Sequence, residues 1–182
     1  VPYYDRSELV DAALATVTRV LGEGIVLVVV VLFLYLGDLR SSLIVIATLV
    51  LTPALTFLVM NAYGISANLM SLGGLAIAIG LMVDGSVVVV ENVFARLAHD
   101  RTGASRASIV YDAVMEVGTP VIFGICIIIL VFLPLMTLEG MEGKMFAPLA
   151  YTIAIALGIS LVISLTLTPV LSAYFLKAGN EH

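Results

Sequence analysis

Two acids, Asp84 and Glu91, sit inside a long apolar stretch, residues 75–92. A charged side chain at the centre of a membrane helix costs about 2.5–3.5 kcal/mol. A chain this apolar could place leucine there at no such cost. On a helix the seven-residue spacing is two turns, leaving the carboxyls only about 20° off one line. Gly73, Ile77, Gly80 and Val87 or Val88 fall on the same side, and glycines there admit a second helix closely. The spacing therefore predicts a buried helix with both acids on its inward face, Asp84 near mid-membrane and Glu91 nearer the cytoplasm. Burial disfavours the charged form of a carboxyl. A carboxyl that changes charge can load and release protons, so the pair reads as a proton relay. The alternative is a pair of acids neutralised by a basic residue on a neighbouring helix. No Lys or Arg lies mid-span in these residues, so that partner must come from outside the chain.

Seven methionines are present, and Met70 and Met82 share the helix of the acids. Thioether sulfur suits soft cations such as Cu(I) and Ag(I), yet methionine is also ordinary apolar filler. Filler is the more common use. The single cysteine, Cys126, excludes an intramolecular disulfide and a cysteine-cluster metal site. It reads as a small buried hydrophobe. His99 and His182 are too few and too far apart in sequence for a zinc-hydrolase motif. Pro53, Pro120, Pro134 and Pro169 mark kinks and helix ends.

The elements that hold these residues follow from where charge is missing. The chain has 182 residues, 62% hydrophobic and 12% charged, with mean hydropathy +1.19. Soluble domains are about 45–50% apolar and about 25% charged, so a soluble enzyme is excluded. Eight basic against thirteen acidic residues give a net charge of −5. Without a basic patch, nucleic-acid binding has no electrostatic footprint. A bilayer core of about 30 Å needs roughly 20 apolar helical residues. Residues 41–83, 117–138 and 145–176 are free of charge, and 24–37 form a shorter such run. The first interval is divided at residues 61–68, which gives five spans near 20–36, 43–60, 69–97, 119–136 and 148–174. Strands would leave unpaired edges in lipid, and the alternation of a barrel is missing. The predicted class is an all-α integral membrane protein, a polytopic bundle of five transmembrane helices.

Residues 1–19 read as a periplasmic-side lead-in helix, 20–177 as the bundle and 178–182 as a cytoplasmic tail. Asp5, Arg6, Ser7 and Glu8 form a capping-box-like start, and Leu9, Val10, Ala13, Leu14 and Val17 recur at helical spacing. Residues 105–118 read as an interfacial helix leading into the fourth span, with Ile109, Val110, Ala113, Val114 and Val117 on one face. Arg40, Arg96, Arg101, Arg106 and Lys177 share one side, whereas Arg6, Arg19 and Lys144 share the other. The positive-inside rule puts the first group in the cytoplasm. The N-terminus is then periplasmic and the C-terminus cytoplasmic. The opening residues show no signal-peptide pattern and do not begin with Met, so the chain reads as part of a longer protein.

Four stretches carry a resemblance. They are residues 1–10 (Val-Pro-Tyr-Tyr-Asp-Arg-Ser-Glu-Leu-Val), 68–74 (Asn-Leu-Met-Ser-Leu-Gly-Gly), 80–92 (Gly-Leu-Met-Val-Asp-Gly-Ser-Val-Val-Val-Val-Glu-Asn) and 138–150 around Glu139, Gly140, Glu142, Gly143 and Lys144. In them the chain resembles the resistance–nodulation–division exporters, and within these the heavy-metal efflux branch. The resemblance implies twelve membrane helices in two similar halves, of which this chain supplies helices two to six, together with large periplasmic domains. It implies a homotrimer in the bacterial inner membrane, embedded in lipid and joined to a periplasmic adaptor and an outer-membrane channel. Asp84 and Glu91 match the proton-relay positions of the family, whose usual lysine partner belongs to the remaining half of the transporter. Divalent-metal exporters of the branch often carry a further Asp where Ala78 stands here. Met70 and Met82 match positions where copper and silver exporters carry methionines. The fifth span lacks the methionine that such members can show.

The functional reading is the membrane portion of a proton-driven exporter of heavy-metal cations, with Cu(I)/Ag(I) ahead of Zn(II), Co(II) and Ni(II). It is a secondary transporter rather than an enzyme. It needs no cofactor beyond the proton motive force, with the metal ion as substrate. The alternatives are an exporter of drugs or other organic molecules, and a non-transporting membrane anchor or assembly module in which the acids only pair helices.

Overall fold

The computed structural model describes residues 6–100 and 103–176. Asp5 of the expected cap, Arg101, Lys177 and the tail 178–182 lie outside the described residues, as does the side chain of Arg6. Six helices follow one another: α1 (Arg6–Leu36), α2 (Leu39–Ala62), α3 (Leu69–His99), α4 (Arg106–Met136), α5 (Gly140–Leu165) and α6 (Leu167–Phe175). Five stretches are long and apolar enough to cross a membrane, the last being α5 and α6 together. The chain is an all-α integral membrane bundle. Helices α1, α3 and α4 each run 31 residues, about 46 Å at 1.5 Å per residue. Each therefore outreaches a hydrocarbon core of about 30 Å. Both expected lead-in helices continue without a break into the spans they precede.

Local chemistry sets the ends. Gly37, at φ +62°, closes α1 in the left-handed region that suits glycine. Asp38 then caps α2, its Oδ2 accepting from the Ser41 N–H and the Ser41 hydroxyl at 2.9 Å each. Asn68 caps α3 in the same way through the Ser71 N–H at 2.9 Å. Two features depart from the sequence reading. Residues 140–147, outside the expected span, are helical and extend α5 outward. The fifth span is interrupted at Thr166, where φ is −118° and ψ −68°. Pro169 has no N–H for the Leu165 carbonyl four residues back, and its ring crowds that carbonyl. The helix stops and restarts instead of running through.

α3 packs most extensively against α5, then against α4, α2 and α6. A Cβ added to Gly74 would lie 2.7 Å from the Leu149 carbonyl oxygen. Only glycine lets the two backbones come that close. Two apolar clusters fill the bundle. One gathers Leu32, Val45, Val89, Val93, Leu97 and Leu176 toward the α3–α4 connection. The other gathers Leu49, Leu75, Ile79, Met82, Ile153 and Leu157 farther along. α1 is peripheral, touching α2 and α3, and most of residues 7–20 is exposed.

Candidate functional site

α3 has two unlike faces. Gly74, Leu75, Ala78, Met82, Ser86, Val89, Val93 and Leu97 are buried against the other helices. Asp84 and Glu91 lie on the remaining face with Ile77 and Val88, and all four are exposed in this chain. The expectation of acids on an inward, buried face is therefore corrected. The stripe predicted from the seven-residue spacing is present, but it looks away from α4, α5 and α6. The reason is rotational: Asp84 stands about 160° around the helix from Met82 and Ser86, which are buried. A Cβ added to Gly80, on the acid side, would meet nothing within 4 Å, whereas one added to Gly85 would meet Val121 of α4 at 3.5 Å.

The acids border a cleft of about 520 Å³ between α1 and α3. α1 supplies Leu27, Val28, Val31, Leu32 and Tyr35, and α3 supplies Gly80, Val83, Asp84, Val87, Val88 and Glu91. The walls are thus apolar except at the two carboxyls and one phenol. The Tyr35 hydroxyl donates to Glu91 Oε2 at 3.4 Å, a long bond. Among the described residues neither Asp84 nor Glu91 has an ion-pair partner. One turn beyond Glu91, a polar clip ties α3 to α4. Arg96 pairs with Glu116 at 2.7 Å. Asn92 donates to the Ala113 carbonyl at 2.7 Å and to Glu116 at 3.1 Å. Tyr35 and Asn92 escaped the sequence reading. Each is a polar group at the end of an apolar run, the one signal available.

The two methionines are not brought together. Met82 is 2% exposed within the apolar cluster around Leu75 and Ile153, on the face opposite the acids. Met70 is half-buried at the start of α3, about 18 Å along the axis from Met82. One ion cannot touch both. Among the described residues, no three His, Cys, Asp or Glu side chains gather as a metal site. Cys126, expected to be buried, is exposed on the outer side of α4. The arrangement therefore places two carboxyls on one face of α3 beside the cleft, and gathers no metal-ligating cluster among the described residues.

The AcrB/AcrD/AcrF family profile matches residues 1–182. The chain is 46% identical over 183 residues to the cobalt-zinc-cadmium resistance protein CzcA of Cupriavidus metallidurans, covering 97% of this chain and 17% of that protein. It is 39% identical over 182 residues to the cation efflux system protein CusA of Escherichia coli K12, covering 96% and 17%. A crystal structure of a heavy metal efflux pump superposes with TM-score 0.79 at 40% identity, over 93% of this chain and 16% of that one. The chain thus spans about one sixth of the length of the proteins it matches.

Proposed function

The chain belongs to the AcrB/AcrD/AcrF family, and on that footing we propose that it is the membrane portion of a proton-driven exporter of heavy-metal cations. The observation that carries this reading is the pair Asp84 and Glu91, aligned on one face of α3 beside an otherwise apolar cleft. Costly acids without an ion-pair partner in the described chain are best explained by a working change of charge. A proton crossing the field supplies about 2.3 kcal/mol per 100 mV. Its arrival and departure at Asp84 would bias helix packing between two states. The uncovered acid face supports a second half of the transporter lying against it. A homotrimer in the bacterial inner membrane, with a periplasmic adaptor and an outer-membrane channel, completes the proposal. So does an orientation with the N-terminus periplasmic and the C-terminus cytoplasmic.

The substrate class rests on the names of the relatives, which include a cobalt-zinc-cadmium resistance protein and SilA, a putative cation efflux system protein of Salmonella typhimurium. The Cu(I)/Ag(I) preference rests on Met70 and Met82, and the packing of Met82 among aliphatic side chains gives it little support. Exposure of the acids also suits a second reading, in which they pair helices and move no protons. In the complete protein carrying these residues, reconstituted in proteoliposomes, Asp84→Asn keeps size and hydrogen bonding but holds no exchangeable carboxyl proton. Metal-dependent proton flux should fall by at least about 100-fold, the scale of a lost acid–base group, while oligomers assemble normally. Unchanged flux would end the relay reading, and failed assembly would favour helix pairing.

A further inference from the structure

Every buried polar side chain among the described residues is a serine or threonine. Most of those bonded donate to a carbonyl about one turn back: Thr52 to Thr48 at 2.8 Å, Thr56 to Thr52 at 2.7 Å and Thr152 to Pro148 at 2.7 Å. Ser86 and Ser164 pair with each other across α3 and α5 at 3.0 Å. Two hydroxyls stand apart. Thr168 Oγ1 and Ser172 Oγ are buried, each on a residue 0% exposed, and neither has a hydrogen-bond partner among the described residues. Hydroxyls shut away from solvent without a partner are costly, and native interiors satisfy them with protein groups or ordered water.

The surroundings define what would satisfy them. α6 packs against α2, α3, α4 and α5, so these buried oxygens face protein rather than lipid. The two residues are four apart on α6, which puts them on one face with Cβ atoms about 5–6 Å apart. That separation is close to two hydrogen bonds of about 2.8 Å laid end to end. Near them the chain carries Pro169, which has no N–H to donate to the Leu165 carbonyl. Among the described residues no acidic or basic side chain is buried, so none of them offers these hydroxyls a charge. The fitting ligand is small, neutral, and both donor and acceptor. We propose that Thr168 and Ser172 form a buried water-binding site at the joint between α5 and α6. Bound water then supplies the two hydroxyls with the partners that the helices do not.

The test uses the complete protein carrying these residues, and does not depend on any transport activity. Solvent density in a structure fine enough to show water should appear within hydrogen-bond reach of both oxygens. The variant Thr168→Val with Ser172→Ala removes both hydroxyls at nearly constant shape. If they hold water, its Tm falls by a few degrees; Thr168→Ser, which keeps the hydroxyl, falls less. A rise in Tm in the double variant means the hydroxyls were orphans, and no change means they bond locally to their own helix. Either result overturns the site, as does a well-ordered α6 with no density between the two oxygens. Where the variant fails to fold, or density and Tm disagree, the density of the unmodified protein decides.

Discussion

Asp84 and Glu91 are about 10 Å apart along α3, and among the described residues a hydroxyl, that of Tyr35, bonds Glu91 and none bonds Asp84. If protons leave toward the Arg96 end, Glu91 is the group nearer bulk water, which can stand in for it. Glu91→Gln should therefore lower metal-dependent proton flux by about 10-fold or less, against about 100-fold or more for Asp84→Asn, both read as internal pH change in proteoliposomes. Equal losses would place the two carboxyls in one obligatory chain. Met82 makes the opposite case. Its neighbours are Leu75, Ile79, Ile153 and Leu157, so Met82→Leu is nearly volume-conserving and should cost under about 1.5 kcal/mol. Export of silver or copper by cells carrying Met82→Leu should stay within about twofold; a large, metal-selective loss would restore its sulfur as a ligand. At this scale the carboxyl stripe was legible in the seven-residue spacing, and its covered or open state was not. In lipid the outside of a helix is as apolar as the inside, so hydrophobic periodicity could not tell the Asp84 face from the Met82 face. Cys126 was misread for the same reason.

Helix contacts depend on a few positions where backbone meets backbone. Gly74 is the tightest between α3 and α5, and a methyl there would press on the rigid Leu149 carbonyl. Gly74→Ala should therefore destabilise the complete protein by about 1–3 kcal/mol, measured as a lower Tm in detergent. An unchanged Tm would show that α5 can step back without loss. The existence of all five spans could be read from charge-free intervals, because lipid forbids unpaired charge over that length far more strictly than water rewards it. The break at Thr166 was only half legible. Pro169 announced a helix end or kink, but a proline near a span terminus permits either. The i, i+4 run of Ser160, Ser164, Thr168 and Ser172 was visible in the sequence as well, yet nothing in spacing alone says that two of the four hydroxyls go unpaired.

Across the whole bundle, the α1–α2 and α3–α4 connections share one end, and the α2–α3 loop lies at the other. The basic residues Arg40, Arg96 and Arg106 belong to the first end, and the orientation proposed above from the positive-inside rule would put that end in the cytoplasm. A cysteine introduced at Ala104, in a background with Cys126→Ala, should react with a membrane-impermeant maleimide only after the inner membrane is opened. Labelling in cells with only the outer membrane permeabilised would invert the bundle. A helix of 31 residues that is held along its later part by α2 and α3, and nearly bare over residues 7–20, is mechanically a lever. Its fulcrum is the two-residue turn at Gly37 and Asp38. Measured from that turn, Val28 stands about 12 Å up the shaft and the far end about 45 Å. Were α1 to pivot there as a rigid rod, a displacement of its far end would reach Val28, on the cleft wall, reduced about fourfold. On that geometry a displacement of about 4 Å at the exposed end would become about 1 Å at the cleft, the scale that makes or breaks a hydrogen bond beside a carboxyl.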